Sequence, residues 1–415
     1  MTHPSDSHWD LVVIGGGAAG FFGAIAAAEL AYDTQRILIV EKSSKLLGKV
    51  RVSGGGRCNV THACFDPRTF STHYPRGEKE LIGPLNRWSP QDTIDWFQSH
   101  GVTLKTERDG RMFPTTDDSQ TIIDCLETQA AKLEIEIWTQ APVSSIIHHS
   151  KAEYGFTIEF SSGTHLKTRN VLMATGGTRS ADTVRLIKNL GHSTLTAVPS
   201  LFTFNINDPA LTGLAGLSVA SVELAIPELG LESSGPLLVT HWGLSGPSIL
   251  KLSAWGARKL HSVDYKFELS VNWLPETDIP KVLETLRITH GKRTIVARSP
   301  FNDIPRRLWE RLVQLSGISD TVTWSHLSKA EEVSLIQTLS DSRFNVRGKS
   351  MNKEEFVTCG GVELTEVSLK TMESRRTPGL FFAGEVLNID GITGGFNFQN
   401  AWTTGRLAGI AISQT

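Results

Sequence analysis

The sequence predicts an α/β protein built around a parallel β-sheet, and three observations carry this prediction. Short apolar runs of strand length occur near both ends of the chain, and those at 11–14 and 380–383 are followed at once by glycine. An alanine-rich helical segment separates the first two runs, at 11–14 and 37–40. From 201 to 271 helical periodicity is lost and short strand-like runs dominate, which predicts a small β-barrel.

The first element is a complete βαβ unit with a GxGxxG pattern, GGGAAG at 15–20, placed directly after its first strand. Gly15 permits the tight turn, Gly17 lets backbone amides approach a pyrophosphate, and Gly20 lets the helix lie close to the sheet. The second strand ends in Glu41, where a carboxylate can accept both ribose hydroxyls of an adenosine and would repel a 2′-phosphate. FAD or NAD therefore fits and NADP does not; the alternative is a glycine-rich turn of some other α/β protein.

The composition is that of an ordinary globular protein. The 415 residues are 40% apolar and 20% charged, enough for two or three domains, and the net charge of −2 offers no general attraction to nucleic acid. No stretch approaches 18 continuous apolar residues, and residues 1–10 lack the Lys or Arg of a signal peptide. We therefore expect no membrane span and a cytoplasmic location.

The cysteines give no metal or disulfide signal. Cys58, Cys64, Cys125 and Cys359 show neither CxxC nor zinc-ligand spacing. The sequence therefore predicts free thiols and no metal site.

Two further glycine-rich stretches point to ligand contacts. At 53–59, SGGGRCN can surround anionic or carbonyl oxygens with amides and side chains; a flexible surface loop is the alternative. At 379–385 an apolar strand runs into Gly384-Glu385, and the glycine-rich 391–400 opens a helix of small residues. That second helix N-terminus could also bind a ligand. A ligand contacted at both ends of the chain must be long, and FAD is long enough.

The middle of the chain holds two ambiguous signals. VTHWGLSGP at 239–247 resembles a nucleophile elbow, but Pro247 stands where GxSxG requires glycine. Residues 251–311 hold twelve Lys or Arg against seven Asp or Glu, which indicates either a contact for nucleic acid or a solvated helical face.

Taken together, the motifs resemble one family in order from end to end. These are IGGGAAG (14–20), SGGGRCN (53–59), GRMFP (110–114), THWGLSGP (240–247), FAGE (382–385) and TGGFNFQ (393–399). They resemble the BaiN/RdsA, or YhiN-like, family of NAD(P)- and FAD-dependent oxidoreductases. The resemblance implies a Rossmann-like FAD-binding domain of the two-dinucleotide-binding flavoprotein type with an inserted β-barrel and helical domain. The implied boundaries are 1–197 and 346–415 for the FAD-binding domain, 198–275 for the barrel and 276–345 for the helices.

The resemblance also implies roles for particular residues. Glu41 would hold the adenosine ribose, Val143 would meet the adenine through its backbone, and Glu385 would hold the ribityl chain or its phosphate. The amides of 394–399 would lie near the pyrimidine edge of the isoalloxazine, with 53–59 as the other wall. The candidate cofactor-binding residues are Gly15, Gly17, Ala18, Ala19, Gly20, Glu41, Lys42, Ser53, Gly54, Gly56, Arg57, Asn59, Val143, Thr175, Gly176, Gly384, Glu385, Gly394, Gly395, Phe396, Asn397 and Gln399.

The implied activity is reduction of an activated C=C bond by hydride transfer from flavin N5. Residues 150–300 contain no second GxGxxG and the chain has no CxxC, so NAD(P)H would have to donate to the flavin directly. The specific prediction is conversion of uridine to dihydrouridine in large-subunit ribosomal RNA. The basic stretch at 251–311 favours it and the near-neutral net charge opposes it. The oligomeric state is left open.

Two residues are candidates for the proton donor. Cys58 lies in the loop placed near the flavin, and His241 lies on the insert; packing roles are the alternatives. Two other functions compete with the reductase. One is an FAD-dependent oxidase of small amines or carbonyl compounds. The other is a non-catalytic, flavin-containing RNA- or ribosome-associated factor that uses residues 251–311, which a charge-reversed Arg306, Arg307 and Arg311 variant would test.

Overall fold

The computed structural model describes residues 7–150, 152–350 and 357–415. The chain forms two compact units. Residues 1–199 and 353–415 make the first, the sheet unit, and residues 200–352 make the second, the insert. The segments assigned from sequence to a barrel domain and a helical domain both lie within the insert, where their buried side chains share one core.

In chain order the strands alternate with helices in the sheet unit and cluster in the insert. The strands are β1 (Ser7–Ile14), β2 (Ile37–Val40), β3 (Thr61–His62), β4 (Leu104–Thr106), β5 (Arg111–Pro114), β6 (Glu136–Trp138), β7 (Val143–His148), β8 (Phe156–Phe160), β9 (His165–Met173), β10 (Thr194–Ser200), β11 (Thr203–Asn205), β12 (Ser218–Ile226), β13 (Leu231–Thr240), β14 (Gly243–Ser245), β15 (Lys266–Asn272), β16 (Ser342–Arg347), β17 (Lys349–Ser350), β18 (Val357–Val362), β19 (Val367–Ser368), β20 (Glu373–Ser374) and β21 (Leu380–Phe382). The helices are α1 (Ala18–Leu30), α2 (Gly48–Gly56), α3 (Pro67–Ser71), α4 (Glu78–Arg87), α5 (Pro90–Ser99), α6 (Gln120–Lys132), α7 (Ala181–Asn189), α8 (Pro247–Trp255), α9 (Ala257–Ser262), α10 (Ile279–Thr289), α11 (Arg306–Leu315), α12 (Lys329–Ser340) and α13 (Phe396–Ile412). Short 3₁₀ helices lie at Pro209–Leu211, Pro227–Leu229, Trp324–His326, Leu364–Glu366 and Gly384–Val386.

The centre of the sheet unit is a parallel sheet with strand order β21-β9-β1-β2-β6. β19 and β20 extend it in antiparallel fashion beyond β21, and β8 pairs with the first part of β9. The predicted βαβ unit is thus β1-α1-β2, with Val13 in register with Ile39. Its paired stretches, 11–14 and 37–40, are apolar throughout because helices or loops cover both faces of a parallel sheet.

Helices α1 and α13 pack together through glycines. A Cβ on Gly409 would overlap the carbonyl oxygen of Gly23, and a Cβ on Gly405 would lie 2.7 Å from the carbonyl oxygen of Ala19. The contacts run in the same order along both helices, so the helices are parallel. Only glycine allows two backbones to approach this closely.

The sheet of the insert closes on itself. Its strand order is β16-β15-β12-β13-β14-β11-β17, with antiparallel pairing throughout. The two end strands, β16 and β17, are separated only by Gly348, whose φ of 150° allows the bend. One kinked stretch of chain therefore pairs with β15 and with β11, which makes a small barrel with α8–α12 as its helical part. Among the described residues, no helix is both long and apolar enough to cross a membrane.

A buried polar cluster ties the segment after α7 to the edge of the sheet unit. The Nδ1 atom of His192 lies 3.0 Å from the Glu366 carboxylate, and its Nε2 atom lies 2.8 Å from the Ser374 hydroxyl. The Glu366 carboxylate also accepts the Ser193 N–H at 2.9 Å and pairs with Arg376 at 2.7 Å. Burial lowers the pKa of His192 below 6.5, although the nearby carboxylate opposes the shift.

We expect the Gly409→Ala variant to lose roughly 1–3 kcal/mol of stability, because the added Cβ forces two helix backbones apart. The thermal unfolding midpoint measures this loss. Gly83→Ala on α4 is the matched control, since a Cβ there meets no atom within 4 Å and should stabilise the helix slightly. Equal midpoints for Gly409→Ala and the native chain would contradict the close helix contact.

We expect acid to destabilise the sheet unit partly through His192. Because its folded pKa lies below the unfolded value of 6.5, the unfolded chain binds the proton more readily, and stability falls as pH drops below 6.5. Unfolding midpoints at a series of pH values test this. The His192→Gln variant should be less stable at neutral pH but show a shallower decline with acid. His149→Gln, at an exposed position, should keep the native slope; the same slope in both variants counts against the prediction.

Candidate functional site

The carboxyl ends of the parallel strands bring together residues that are distant in sequence. β1 leads into Gly15, β2 into Glu41 and β9 into Thr175, while β21 leads into Gly384 and Glu385. Because these strands are parallel, their carboxyl ends form one edge of the sheet. Ligands of open α/β sheets bind outside this edge.

The turn between β1 and α1 is shaped for an anion. α1 begins at Ala18 without a capping side chain, so its first N–H groups lack partners within the helix and lie at the positive end of its dipole. Gly15 has a φ of 119°, and a Cβ on Gly20 would overlap the Gly15 carbonyl oxygen. A Cβ on Gly17 would meet no protein atom within 4 Å. The turn is thus crowded on its protein side and open at Gly17, as a pyrophosphate site requires.

Glu41 is held with both carboxylate oxygens oriented. One accepts the Gly16 N–H at 3.0 Å and the other accepts the Ser43 N–H at 2.8 Å. The side chain is half-buried, and each oxygen keeps a lone pair for a further donor. The Glu41 carbonyl accepts the Ala141 N–H at 2.9 Å, which brings the segment leading to Val143 beside it. The residues predicted for the ribose and the adenine are therefore neighbours.

A second uncapped helix N-terminus belongs to α13. It begins after Gly394 and Gly395, whose φ angles are 129° and 97°, and no side chain of its own first turn caps it. The Asn59 amide, oriented to satisfy both neighbours, accepts the Gly395 N–H at 3.0 Å and donates to the Thr61 carbonyl at 3.1 Å. This contact joins the 53–59 loop to the start of α13.

The two helix N-termini are separated along a common direction. Ala19, in the first turn of α1, faces Gly405, which lies nine residues into α13. Ala19 is one residue into α1, so at 1.5 Å per residue α13 extends about 12 Å beyond the start of α1. A ligand that binds both ends must span a distance of this order, as an extended dinucleotide does.

Polar groups between the two helix ends fit a bound ligand. The Thr175 hydroxyl is buried and has no partner among residues 7–150, 152–350 and 357–415. Buried hydroxyls are almost always paired, so this one has room for a ligand atom or water. Glu385 lies nearby: it accepts the Thr358 N–H at 2.8 Å and forms an ion pair with Lys49. Gly176, with a φ of 72°, keeps the backbone free of a Cβ beside the carboxylate.

The 53–59 loop adopts a backbone that requires its glycines. Gly54, Gly55 and Gly56 have φ angles of 59°, 71° and 85°, so three successive residues are left-handed. A Cβ on Gly54 would lie 2.8 Å from the Phe113 ring. The Ser53 hydroxyl donates to the Val50 carbonyl at 3.0 Å. The backbone conformation of the loop therefore depends on its glycines, which favours a built structural element over a flexible surface segment.

The comparison with protein families decides the identity of the fold. The HI0933-like protein Rossmann domain matches residues 9–411. The chain belongs to the HI0933-like family. The predicted family is therefore confirmed, and with it the prediction of a Rossmann-like oxidoreductase.

Curated relatives align over nearly the whole chain. The "Ribosomal RNA dihydrouridine synthase" of Escherichia coli K12 is 32% identical over 406 residues, which cover 95% of this chain and 96% of the relative. The "3-dehydro-bile acid delta(4,6)-reductase" of Clostridium scindens is 28% identical over 412 residues, covering 97% and 98%.

Solved structures share the fold. A 3-ketosteroid-delta4-(5alpha)-dehydrogenase from Rhodococcus jostii RHA1 has a TM-score of 0.55 at 16% identity and covers 100% of this chain and 99% of its own. A flavocytochrome c3 fumarate reductase has a TM-score of 0.52 at 15% identity, covering 99% and 79%. The predicted fold class is confirmed by these similarities.

Cys58 is poorly suited to the predicted role of proton donor in this HI0933-like protein. Its side chain is fully buried, and burial raises the pKa of its thiol to about 12. Its φ of 59° and its N–H bond to the Ser53 carbonyl at 3.0 Å close the turn after the glycines. Because the thiol is fully buried, the structure favours the packing alternative.

Arg57 and Gln399 are also occupied by protein partners. The Arg57 guanidinium lies 2.7 Å from Glu107 and 4.0 Å above the Phe113 ring. The Gln399 amide accepts from the Thr61 hydroxyl at 2.7 Å and donates to Thr93 and Thr403, and the side chain is wholly buried. The structure thus gives both side chains protein partners, and their predicted cofactor contacts stay predictions.

Asn397 and Phe396 shape the start of α13 through their side chains. The Asn397 amide exchanges hydrogen bonds of 2.9 Å with the N–H and carbonyl of Gly391. Phe396 is buried beneath the ring of His73, at a centroid distance of 4.3 Å. Their predicted contribution to cofactor binding is thus limited to backbone groups.

The remaining predicted cofactor-binding residues follow the first two strands of the sheet unit, and the second candidate proton donor lies in the insert. Lys42 is exposed directly after Glu41, and Ala18 and Ala19 form the first turn of α1. His241 lies in the exposed turn between β13 and β14 of the insert, and its role as proton donor stays a prediction.

Sequence reasoning missed the aromatic cluster that supports α13. The His62 ring stacks on Phe396 at 4.9 Å with its Nδ1 atom 3.1 Å from the Gly394 carbonyl oxygen, and the Tyr74 hydroxyl donates to the Phe396 carbonyl at 2.6 Å. Burial lowers the pKa of His62. These residues follow no periodic pattern, and only the position of His62 just beyond the SGGGRCN motif hints at the contact.

The open space at Gly17 gives a direct test of the phosphate site. Gly17 has an extended backbone that any residue adopts, so Gly17→Val should fold normally while its side chain displaces a pyrophosphate. We expect the FAD content of the purified variant to fall at least about tenfold, or ~1.4 kcal/mol. Gly83→Val is the control, because Gly83 is an exposed position on α4, and this variant should keep the native FAD content. Full flavin absorbance in a folded Gly17→Val protein would show that no phosphate lies at this turn.

Proposed function

We propose that this protein holds FAD along the carboxyl edge of its parallel sheet and reduces a C=C bond conjugated to a carbonyl group. The observation that supports it most is the pair of parallel, uncapped helices whose N-termini are offset by about 12 Å along their axes. The pyrophosphate belongs at α1, the ribose at Glu41, and the isoalloxazine at the start of α13.

The chain's own groups prepare this site for reduction chemistry. Bound flavin supplies a hydride to the electron-poor β carbon of the substrate. The N-terminus of α13 places backbone N–H groups and the positive end of a helix dipole where the pyrimidine edge of the flavin gains negative charge. The Asn59 contact with Gly395 and the stacked rings of His62 and Phe396 fix this terminus. Preorganised dipoles of this kind lower the cost of charge development.

The proposed substrate is a uridine of large-subunit ribosomal RNA. The name of the 32% identical relative describes saturation of uracil, and that of the 28% identical relative describes reduction of ring alkenes in a bile acid. Both names describe reduction of a ring C=C bond activated by conjugation to a carbonyl group. The higher sequence identity to the RNA-modifying relative, 32% against 28%, supports uridine over a steroid.

The proposed electron donor is NADH or NADPH acting directly on the flavin. The sequence between 150 and 300 contains no second GxGxxG to hold a resident nicotinamide, and it has no CxxC to relay electrons. A donor that binds transiently at the flavin accounts for both features.

The activity is tested in two steps. The purified yellow protein should lose its flavin absorbance when NADH or NADPH is added without oxygen. The ribosomal RNA of cells lacking the protein should lose one dihydrouridine, detected by mass spectrometry of nucleosides. Rapid peroxide formation from an amine, with an unchanged dihydrouridine content, would instead assign the protein as an oxidase.

A further inference from the structure

The basic side chains of residues 251–311 fall into two groups. Occupied side chains have an ion pair or a hydrogen bond within the described residues, and unoccupied side chains have neither. Seven of the twelve have partners within the described residues: Arg258, Lys259, Lys266, Arg287, Arg306, Arg307 and Arg311. The side chains of the other five form no ion pair or hydrogen bond with residues 7–150, 152–350 or 357–415. They are Lys251, Lys281, Lys292, Arg293 and Arg298. A minority of these basic side chains is therefore left without an ion pair or a hydrogen bond within the described residues.

The arginines of α11 are not the available cations. Arg306 pairs with Glu310 at 2.7 Å within the helix. Arg307 donates to the Gly213 carbonyl, and Arg311 donates to the carbonyls of the 209–212 turn. These guanidinium groups hold a loop of the barrel against the helix. They are therefore less available to a ligand than basic side chains without such partners.

Three of the five unoccupied cations lie within seven residues of one another on one segment. We call residues 290–298 the basic loop; it carries Lys292, Arg293 and Arg298, all exposed. The loop follows α10, and Ile288, just before it, is 80% exposed. No carboxylate of the described residues pairs with these three side chains.

The basic loop has a fixed backbone. Ile295 is wholly buried; its N–H donates to the Val322 carbonyl at 3.0 Å, and its carbonyl accepts from the Trp309 indole at 2.9 Å. The Arg293 carbonyl accepts the Trp324 N–H at 3.1 Å, and the Gly291 carbonyl accepts from residue 325 through backbone and hydroxyl. The cations therefore project from an anchored scaffold, which lowers the entropy lost on binding.

We infer that the basic loop binds the phosphate backbone of the RNA substrate; this rests on the proposed function. Since the chain as a whole carries −2, attraction to RNA must come from a local group of unpaired cations. Arginine forks match phosphate oxygens in two hydrogen bonds, and lysine adds a point charge. Three cations neutralise about three phosphates, which predicts a contribution of about −2 to the slope of log K against log salt.

The test uses full-length, FAD-loaded protein and a transcript of large-subunit ribosomal RNA. The variant Lys292→Gln, Arg293→Gln, Arg298→Gln should bind the transcript more weakly and lose about 2 from the salt slope. The matched control removes three exposed lysines of the sheet unit: Lys79→Gln, Lys132→Gln, Lys188→Gln. The control should keep the native slope. Both variants should retain flavin reduction by NAD(P)H at the native rate, which verifies their folding.

The outcomes separate failure of the inference from failure of the proposed function. Equal salt slopes for the native protein and the basic-loop variant overturn the inference while leaving dihydrouridine formation intact. If the native protein forms no dihydrouridine but still accepts electrons from NAD(P)H, the proposed substrate fails, and the inference fails with it. Binding to phosphatidylserine vesicles that depends on the loop, without RNA binding, also overturns it.

Discussion

The close contact of α1 and α13 is the constraint on which the rest of the sheet unit depends. The helices belong to opposite ends of the sequence and meet backbone to backbone at Gly23, Gly405 and Gly409. This contact fixes the position of each helix N-terminus relative to the other. The distance between the two positive helix ends is therefore built into the packing and does not depend on any flexible loop.

The nucleotide-binding half of the site could be predicted from sequence because its signals are local. The pattern GGGAAG after an apolar strand predicts a turn, the start of a helix and an anion site at that start. Glu41 follows at the spacing that two adjacent parallel strands joined by a helix impose. The carboxyl edge then follows from the strand order. Such rules involve neighbours in sequence and need no knowledge of distant side chains.

The other half could be predicted only in part, because its side chains pair with residues hundreds of positions away. Arg57 and Gln399 were assigned to the cofactor from the motifs that contain them, whereas their partners, Glu107 and Thr61, became visible only in the folded chain. The same holds for Cys58. Its position in a glycine-rich loop suggests a reactive thiol, whereas the folded turn buries the thiol in the core. A motif marks a region that is close to a ligand; it does not state which of its atoms face that ligand.

The late position of α13 has a consequence for how the protein is made. The apolar surface of α1 emerges first during translation, yet the helix that covers it is synthesised 366 residues later, after α1 ends at Leu30 and before α13 begins at Phe396. At 5–20 residues per second, this surface remains uncovered for roughly 20–70 seconds. The apolar surface of α1 therefore has only provisional contacts until α13 leaves the ribosome, and the cofactor site is completed only then.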